Sequence, residues 1–363
     1  MGRTLQIYIF KYMLRMTAYF AIGLGSLIFL ADFSEMNNRL SAISTYQITT
    51  GLALSAARLP FILQIALPLI ILASTMAALM QLNKKNELVV ARSAGVSAWQ
   101  FLTPTWLAAG IIGILAVLVI NPLATTGFSF ANEWENQLRG KAPSVGVLSD
   151  SKPWLRQQSE DGGLYLIGAE RVSSNGVILL DASFLHIDAT GEIIERFDSP
   201  RAQLAGGNWI LKDALASRAG QPTREIGERT ISTGLDSSVI TEALIPPEMI
   251  PFFELGKQID TARAFGVSSN PFRMQYHSLI STPALFIAMA LIAATVSLRF
   301  ARLGHSAEMI LGGIVAAFML YVITEVTKSF GAAGIISPIL AAWLPVMAAG
   351  MFGIAYLLHR EDG

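Results

Sequence analysis

Six strongly apolar stretches of this chain carry no Asp, Glu, Lys or Arg for 16 residues or more: 16–31, 59–82, 101–123, 274–298, 309–324 and about 335–358. A helix needs about 20 apolar residues to cross a hydrocarbon core of roughly 30 Å, so each run is a candidate membrane span. They fall into two groups of three, separated by a polar interval over 124–273. Prolines inside or at the ends of the runs, Pro60, Pro68, Pro283, Pro338 and Pro345, are tolerated in membrane helices because neighbouring groups satisfy the freed backbone. Only 14% of the residues are charged, against roughly 25% in soluble domains. The expected fold class is a polytopic α-helical membrane protein with six transmembrane helices (3+3) and an inserted domain. The first run follows an amphipathic start bearing Arg3, Lys11 and Arg15. It lacks a signal-peptide cleavage site and reads as a retained helix.

Orientation follows from Lys and Arg near the span ends, which favour the cytoplasmic side. Arg3, Lys11, Arg15, Lys84, Lys85, Arg92, Arg299, Arg302 and Arg360 gather on one side; Arg39, Arg58 and Lys328 lie on the other. Both termini are therefore expected in the cytoplasm and the central interval on the opposite face. Three parts result: a membrane half over 1–123, a central domain over 124–273 and a second membrane half over 274–363. The central part contains strand-like runs broken by turn signals: "GLYLIGAERV", "GVILLDASFLHIDATGEIIERF", "GNWILKDALASRAG" and "TREIGERTIST". In "FLHIDATGEIIERF" two alternating runs flank a Gly-bearing turn, a hairpin pattern. Turn spacings of about 8 to 12 residues favour an antiparallel sandwich, jelly roll or barrel. The stretch 246–273 reads as a Pro-punctuated connector and short helix.

Several chemistries are disfavoured. The formal net charge is zero and no basic tract interleaves with aromatics, so no nucleic acid is expected. The absence of cysteine removes disulfides and thiolate sites. A phosphate loop needs Gly, four residues, then Gly-Lys-Ser/Thr. Here Gly140-Lys141 and Gly256-Lys257 are followed by Ala142 and Gln258, with Glu135 and Pro251 where the first Gly belongs. His186, His277, His305 and His359 are scattered without ligand spacing, and no G-x-S-x-G elbow occurs. Neither a metal, a cofactor nor a catalytic residue is expected, and any ATP hydrolysis belongs to a separate subunit.

Charge placement singles out two regions. The first and fifth runs have only 16 uncharged residues, about 24 Å of helix, and end at Asp32 and Glu325. Glu35 and Arg39 follow the first acid. Glu325 and Lys328, three apart, share a helical face and can pair. Two readings stay open: the acids reach outward into headgroups, or the first and fifth helices line a polar path. The second region is "NKKNELVVARSAGVS" at 83–97. Asn86 is a candidate cap, Glu87 suits the positive helix end and Arg92 the negative one, and Gly95 is a natural C′ residue. A helix over about 87–94 is expected, with Leu88, Val89, Val90 and Ala91 as apolar surface. So short a helix needs something to pack on. Either it packs on its own spans as a positive-inside loop, or it docks a cytoplasmic partner with Glu87 offered to a basic residue.

At "NELVVARSAGVSAWQF" the sequence resembles the LptF/LptG lipopolysaccharide export permease family. Further matches are "LQIYIFKYMLR", "ALPLIILASTMAALMQL" and "ISPILAAWLPV", together with the three-span, β-domain, three-span layout. Within the family, "PWLR" and "LYVITEV" look closer to the LptG branch than to LptF. The resemblance implies a periplasmic jelly roll in a bacterial inner-membrane protein. It implies an ABC transporter assembled from an LptF-like permease subunit, an LptB-like ATPase dimer and an LptC-like periplasmic protein. That machine extracts lipopolysaccharide from the inner membrane and passes it to a bridge toward the outer membrane. It also implies that Glu87, Leu88, Val89, Arg92 and Gly95 belong to the ATPase-coupling helix. Asp32, Glu35, Arg39, Glu325 and Lys328 become candidates for the lateral gate and lipid path. The chain departs from relatives that carry several lysines at the outer end of the first helix, having Asp32 and Glu35 there instead. Phosphate contacts would then fall to Arg39, Lys328 and the partner subunit, or the lipid A handled carries fewer phosphates, or divalent cations bridge. The alternatives of other classes are a membrane-anchored periplasmic binding or signalling module and an intramembrane enzyme built on Asp32 and Glu325.

Overall fold

The computed structural model describes residues 3–41, 43, 46–139, 154–158, 163–172, 178–188, 192–218, 220–233, 246–264, 268–303 and 306–361. Nine α-helices are found among them: α1 Arg3–Leu40, α2 Ile48–Lys84, α3 Glu87–Ser93, α4 Ala98–Leu115, α5 Asn121–Leu138, α6 Phe252–Ala264, α7 Asn270–Leu303, α8 Ser306–Ala332 and α9 Pro338–Glu361. Six helical segments are long and apolar enough to cross a membrane, α4 and α5 counting as one. The chain divides into two units, Met1–Ala131 with Asn270–Gly363, and Asn132–Ser269.

The helices outrun the charge-free runs that announce them. At 38 residues α1 is about 57 Å long, so Asp32, Glu35 and Arg39 all sit on a continuous helix. The third span does not stop near 123 but continues to Leu138. Loss of apolar character marks the edge of the hydrocarbon, not the end of hydrogen bonding. Thr125 Oγ donates to the Asn121 and Pro122 carbonyls (both 3.1 Å) and Thr126 Oγ to the Pro122 carbonyl (2.8 Å), carrying the helix onward. Between α4 and α5 the segment Ala116–Ile120 is wound as a π-helix, with the Asn121 N–H bonding the Ala116 carbonyl. Pro122 follows, and its missing N–H explains the local rewinding.

The packed centre of the helical unit is made by α2, α4 and α7. Ile70, Ile71, Ala109, Phe286, Met289 and Ala293 form one continuous apolar cluster there. Two close approaches hold the helices, one of α4 on α7 and one of α5 on α2. A Cβ on Gly113 would fall 2.5 Å from Pro283 Cα, and one on Gly127 would fall 2.5 Å from the Ala57 carbonyl oxygen. Helix α1 lies along α2 and also meets α4, while α8 lies against α7 and α9.

In the inserted unit, β1 Trp154–Gln158, β2 Leu164–Val172, β3 Ile178–Ile187, β4 Ile193–Ala205, β5 Asn208–Ser217 and β6 Arg224–Ser232 form one antiparallel sheet. Its order is β1-β2-β3-β4-β5-β6. The all-β insertion is thus present, and its described strands pair as a meander; no crossover of the jelly-roll kind occurs among them. The hairpin expected in "FLHIDATGEIIERF" is β3–β4, closed by the Asp188 N–H on the Glu192 carbonyl at 2.9 Å; its tip, 189–191, lies outside the described residues. One face carries a core of Ile167, Phe184, Phe197, Trp209, Leu211 and Ile231, with Phe184 and Trp209 edge to face at 6.0 Å. Asp181 and Asp213 take positive φ (51° and 53°), a conformation Asp tolerates better than bulky residues. Each sits between two inward residues three apart, Leu179 and Ala182 or Leu211 and Ala214, so both ends of the strand keep one face.

Candidate functional site

The helix at 87–93 forms as the sequence suggests, but its two ends are built differently from each other. At the C-terminal end Gly95 has φ 81°. The Val96 N–H reaches the Ala91 carbonyl at 3.1 Å, the bond that closes a helix with a left-handed C′ residue. At the start, Asn86 accepts from the Val90 N–H through its carbonyl at 3.0 Å. Its φ is +59°, left-handed instead of the extended backbone that a side-chain cap requires. The preceding turn, with the Asn86 N–H on the Asn83 carbonyl, sets that conformation, and Asn is among the residues that accept it.

The apolar stripe of α3 is split. Leu88 is 6% exposed and packs in a cluster with Ile9, Met13, Leu79, Leu82, Phe101 and Leu102. Ala91 is buried beside it, whereas Val89 and Val90 are 53% and 65% exposed. Half of the stripe thus seats the helix on α1, α2 and α4, and half is left outward. Glu87 accepts a hydrogen bond from the Tyr8 hydroxyl at 3.3 Å. Tyr8 stacks on Tyr12, centroids 6.1 Å apart, and the Tyr12 hydroxyl bonds Gln81. Lys85 Nζ stands 6.0 Å from the Tyr12 ring. The side chain of Arg92 lies outside the described residues. Tyr8, Tyr12 and Gln81 were not singled out from the sequence, although the i,i+4 tyrosines of "LQIYIFKYMLR" are visible there as one face of an amphipathic start.

The second region is the far end of α1 and of α8. Arg39 is paired with Glu35 one turn earlier, both more than half exposed. Lys328 donates to Glu325 at 2.8 Å, the pairing that their spacing suggests. Each cation thus already has an acid. Asp32 differs: its Oδ2 is buried with no hydrogen-bond partner. Arg58, counted above only as a loop charge, is instead held by packing. Its guanidinium lies 5.1 Å from the Phe128 ring and donates to Met36 Sδ at 3.5 Å, while Phe128 stacks on Phe61 at 4.4 Å. Among the described residues no group of His, Asp or Glu side chains has the arrangement of a metal site.

Six apolar helices, grouped three and three about an antiparallel β insertion and carrying a short, firmly seated helix between the second and third spans, define a multi-pass membrane protein. The family model "Lipopolysaccharide export system permease LptF/LptG" matches residues 7–360, and the chain belongs to that family. The match spans nearly the whole chain and does not separate the F from the G branch. A comparison with curated proteins found no match. Family membership makes the chain a component of lipopolysaccharide export in the bacterial inner membrane.

Proposed function

We propose that the chain is the LptG-type permease subunit of an ABC transporter. It works with an LptF-like subunit, an LptB-like ATPase dimer and an LptC-like periplasmic protein. The assembly draws lipopolysaccharide out of the inner membrane and hands it to a periplasmic bridge. Both termini are cytoplasmic and the β insertion is periplasmic, an orientation supported by the Lys/Arg count. The LptG assignment is supported by "PWLR" and "LYVITEV".

One observation carries the reading: α3 is seated by Leu88 and Ala91 while Val89, Val90 and Glu87 remain available at its surface. A rigid element that shows an apolar pair beside a carboxylate suits a groove with a cation at its rim. The ATPase docks there, and its nucleotide-driven closure moves α3 and the spans packed on it. The outer ends of α1 and α8 flank the lipid's way in, with Arg39 and Lys328 exchanging their intramolecular acids for lipid phosphates.

The test is Glu87→Arg in the assembled transporter, followed through membrane insertion, ATPase co-purification and ATP-driven lipid release. Insertion is expected to be unchanged and release lost. Normal release with the ATPase still bound would remove the docking role. Purification of the unaltered chain without a stoichiometric ATPase and a second six-span subunit would remove the transporter assembly and favour the sensor alternative.

A further inference from the structure

We infer that Tyr8 is a positioning residue for Glu87: it fixes the carboxylate before a partner arrives, and so joins α1 directly to the docking surface of α3. The inference rests on the docking reading above.

The Tyr8 hydroxyl donates to Glu87 Oε1 at 3.3 Å. An ionised carboxylate offers acceptor sites on both oxygens, so Oε2 keeps its capacity for a cation. Tyr8 is itself held in place. Its ring stacks on Tyr12 one turn later, and Tyr12 is tied through its hydroxyl to Gln81 at the end of α2. On the adjoining face of the same turns, Ile9 and Met13 are buried in the cluster that receives Leu88. The first turn of α3 is therefore gripped by α1 through an apolar contact at Leu88 and a polar one at Glu87.

Such a grip has two consequences. Glu87 is a rotamer-rich side chain, and ordering it on docking costs about twofold to tenfold in affinity; Tyr8 removes part of that cost beforehand. A displacement of α3 also acts on α1 itself and need not travel through α2.

The experiment titrates the ATPase onto the purified, lipid-reconstituted permease pair. Tyr8→Phe keeps the ring and its stacking and removes only the donor. It is expected to weaken ATPase binding about twofold to tenfold, with the melting temperature of the permease unchanged. In a Glu87→Gln background the same substitution is expected to add little, because coupled residues are non-additive. Tyr12→Phe, which keeps the stack on Tyr8 and loses only the tie to Gln81, is expected to weaken binding less than Tyr8→Phe does. Unchanged binding by Tyr8→Phe, with Glu87→Arg still defective, overturns the inference and leaves the docking role standing. Equal loss in the Glu87→Gln background also overturns it, since Tyr8 would then act elsewhere. If Glu87→Arg and Tyr8→Phe both bind normally, the docking reading itself fails.

Discussion

Helices α7 and α8 follow one another and are both apolar enough to span a membrane, yet they are used in opposite ways. More than half of the most apolar stretch of α7 is buried, and less than a fifth of that of α8. The difference lies in which residues face the neighbouring helices. Small residues, Ala288, Ala290, Ala293, Ala294 and Ser297, recur among the inward positions of α7 beside larger ones such as Phe286 and Met289, and let α2, α4 and α9 come close. Around α8 the exposed positions are Leu311, Ile314, Val315, Phe318 and Met319. Lipid tails are as apolar as leucine, so hydrophobicity does not hold one membrane helix to another; close packing does. Hydropathy thus says that both helices belong in the bilayer, and packing says which one belongs in the bundle. A helix such as α8 is free to face lipid or a second subunit, as the gate role proposed above requires.

The widest separation between the two helices should come from paired phenylalanines. Phe286 on α7 is 1% exposed and Phe318 on α8 is 54% exposed. Truncating a buried Phe costs about 3–5 kcal/mol, so Phe286→Ala is expected to lower the melting temperature strongly in detergent or nanodiscs. Phe318→Ala should cost under about 1 kcal/mol, as substitutions away from packed cores do. Similar losses at the two sites would erase the distinction between the packed helix and the exposed one.

Glycines give a smaller and sharper contrast. Gly113→Ala drives a methyl to 2.5 Å from the backbone of Pro283, whereas a Cβ at Gly312 on α8 meets nothing within 4 Å. Overpacking costs about 1–3 kcal/mol, and Gly→Ala in an open helix gains up to about 1 kcal/mol. Opposite shifts in melting temperature are expected, negative for Gly113→Ala and positive for Gly312→Ala. Shifts of the same sign would mean that the α4–α7 crossing is looser than its geometry.

What was legible in advance was what local chemistry decides. The spans, the β3–β4 hairpin, the left-handed Gly95 and the Glu325–Lys328 pair each depend on residues a few positions apart. Helix ends were not legible at α1 or beyond 123, because charge marks the hydrocarbon boundary while threonine hydroxyls and backbone bonds carry the helix on. The short strand β1 was missed as a strand because "WLRQQ" has little alternation and gains its place only by pairing with β2. At the candidate site the sequence offers Leu88 and Val89 as neighbours on one apolar stripe. Tertiary packing sends the first inward and the second outward. Nor does any local rule announce Tyr8 on Glu87, a contact across 79 positions.

The smallest stability effect is expected at the far end of α8, where it separates fold from function. Glu325 and Lys328 are both substantially exposed and lie three apart, so their pair is worth about 0.5 kcal/mol or less. Lys328→Ala should therefore leave the melting temperature of the permease nearly unchanged. If the ammonium serves a lipid phosphate, the same variant should reduce ATP-driven release several-fold, because a charge-assisted bond to phosphate is stronger than the exposed pair it replaces. Glu325→Gln is the decisive companion. It frees Lys328 from its intramolecular acid without removing the cation, and release should be maintained or increased. Losses of equal size in both variants would mean that the pair itself, not a cation released to phosphate, is what α8 contributes there. The core helix offers no such pair of opposite outcomes, since every change to its packed face acts through stability first.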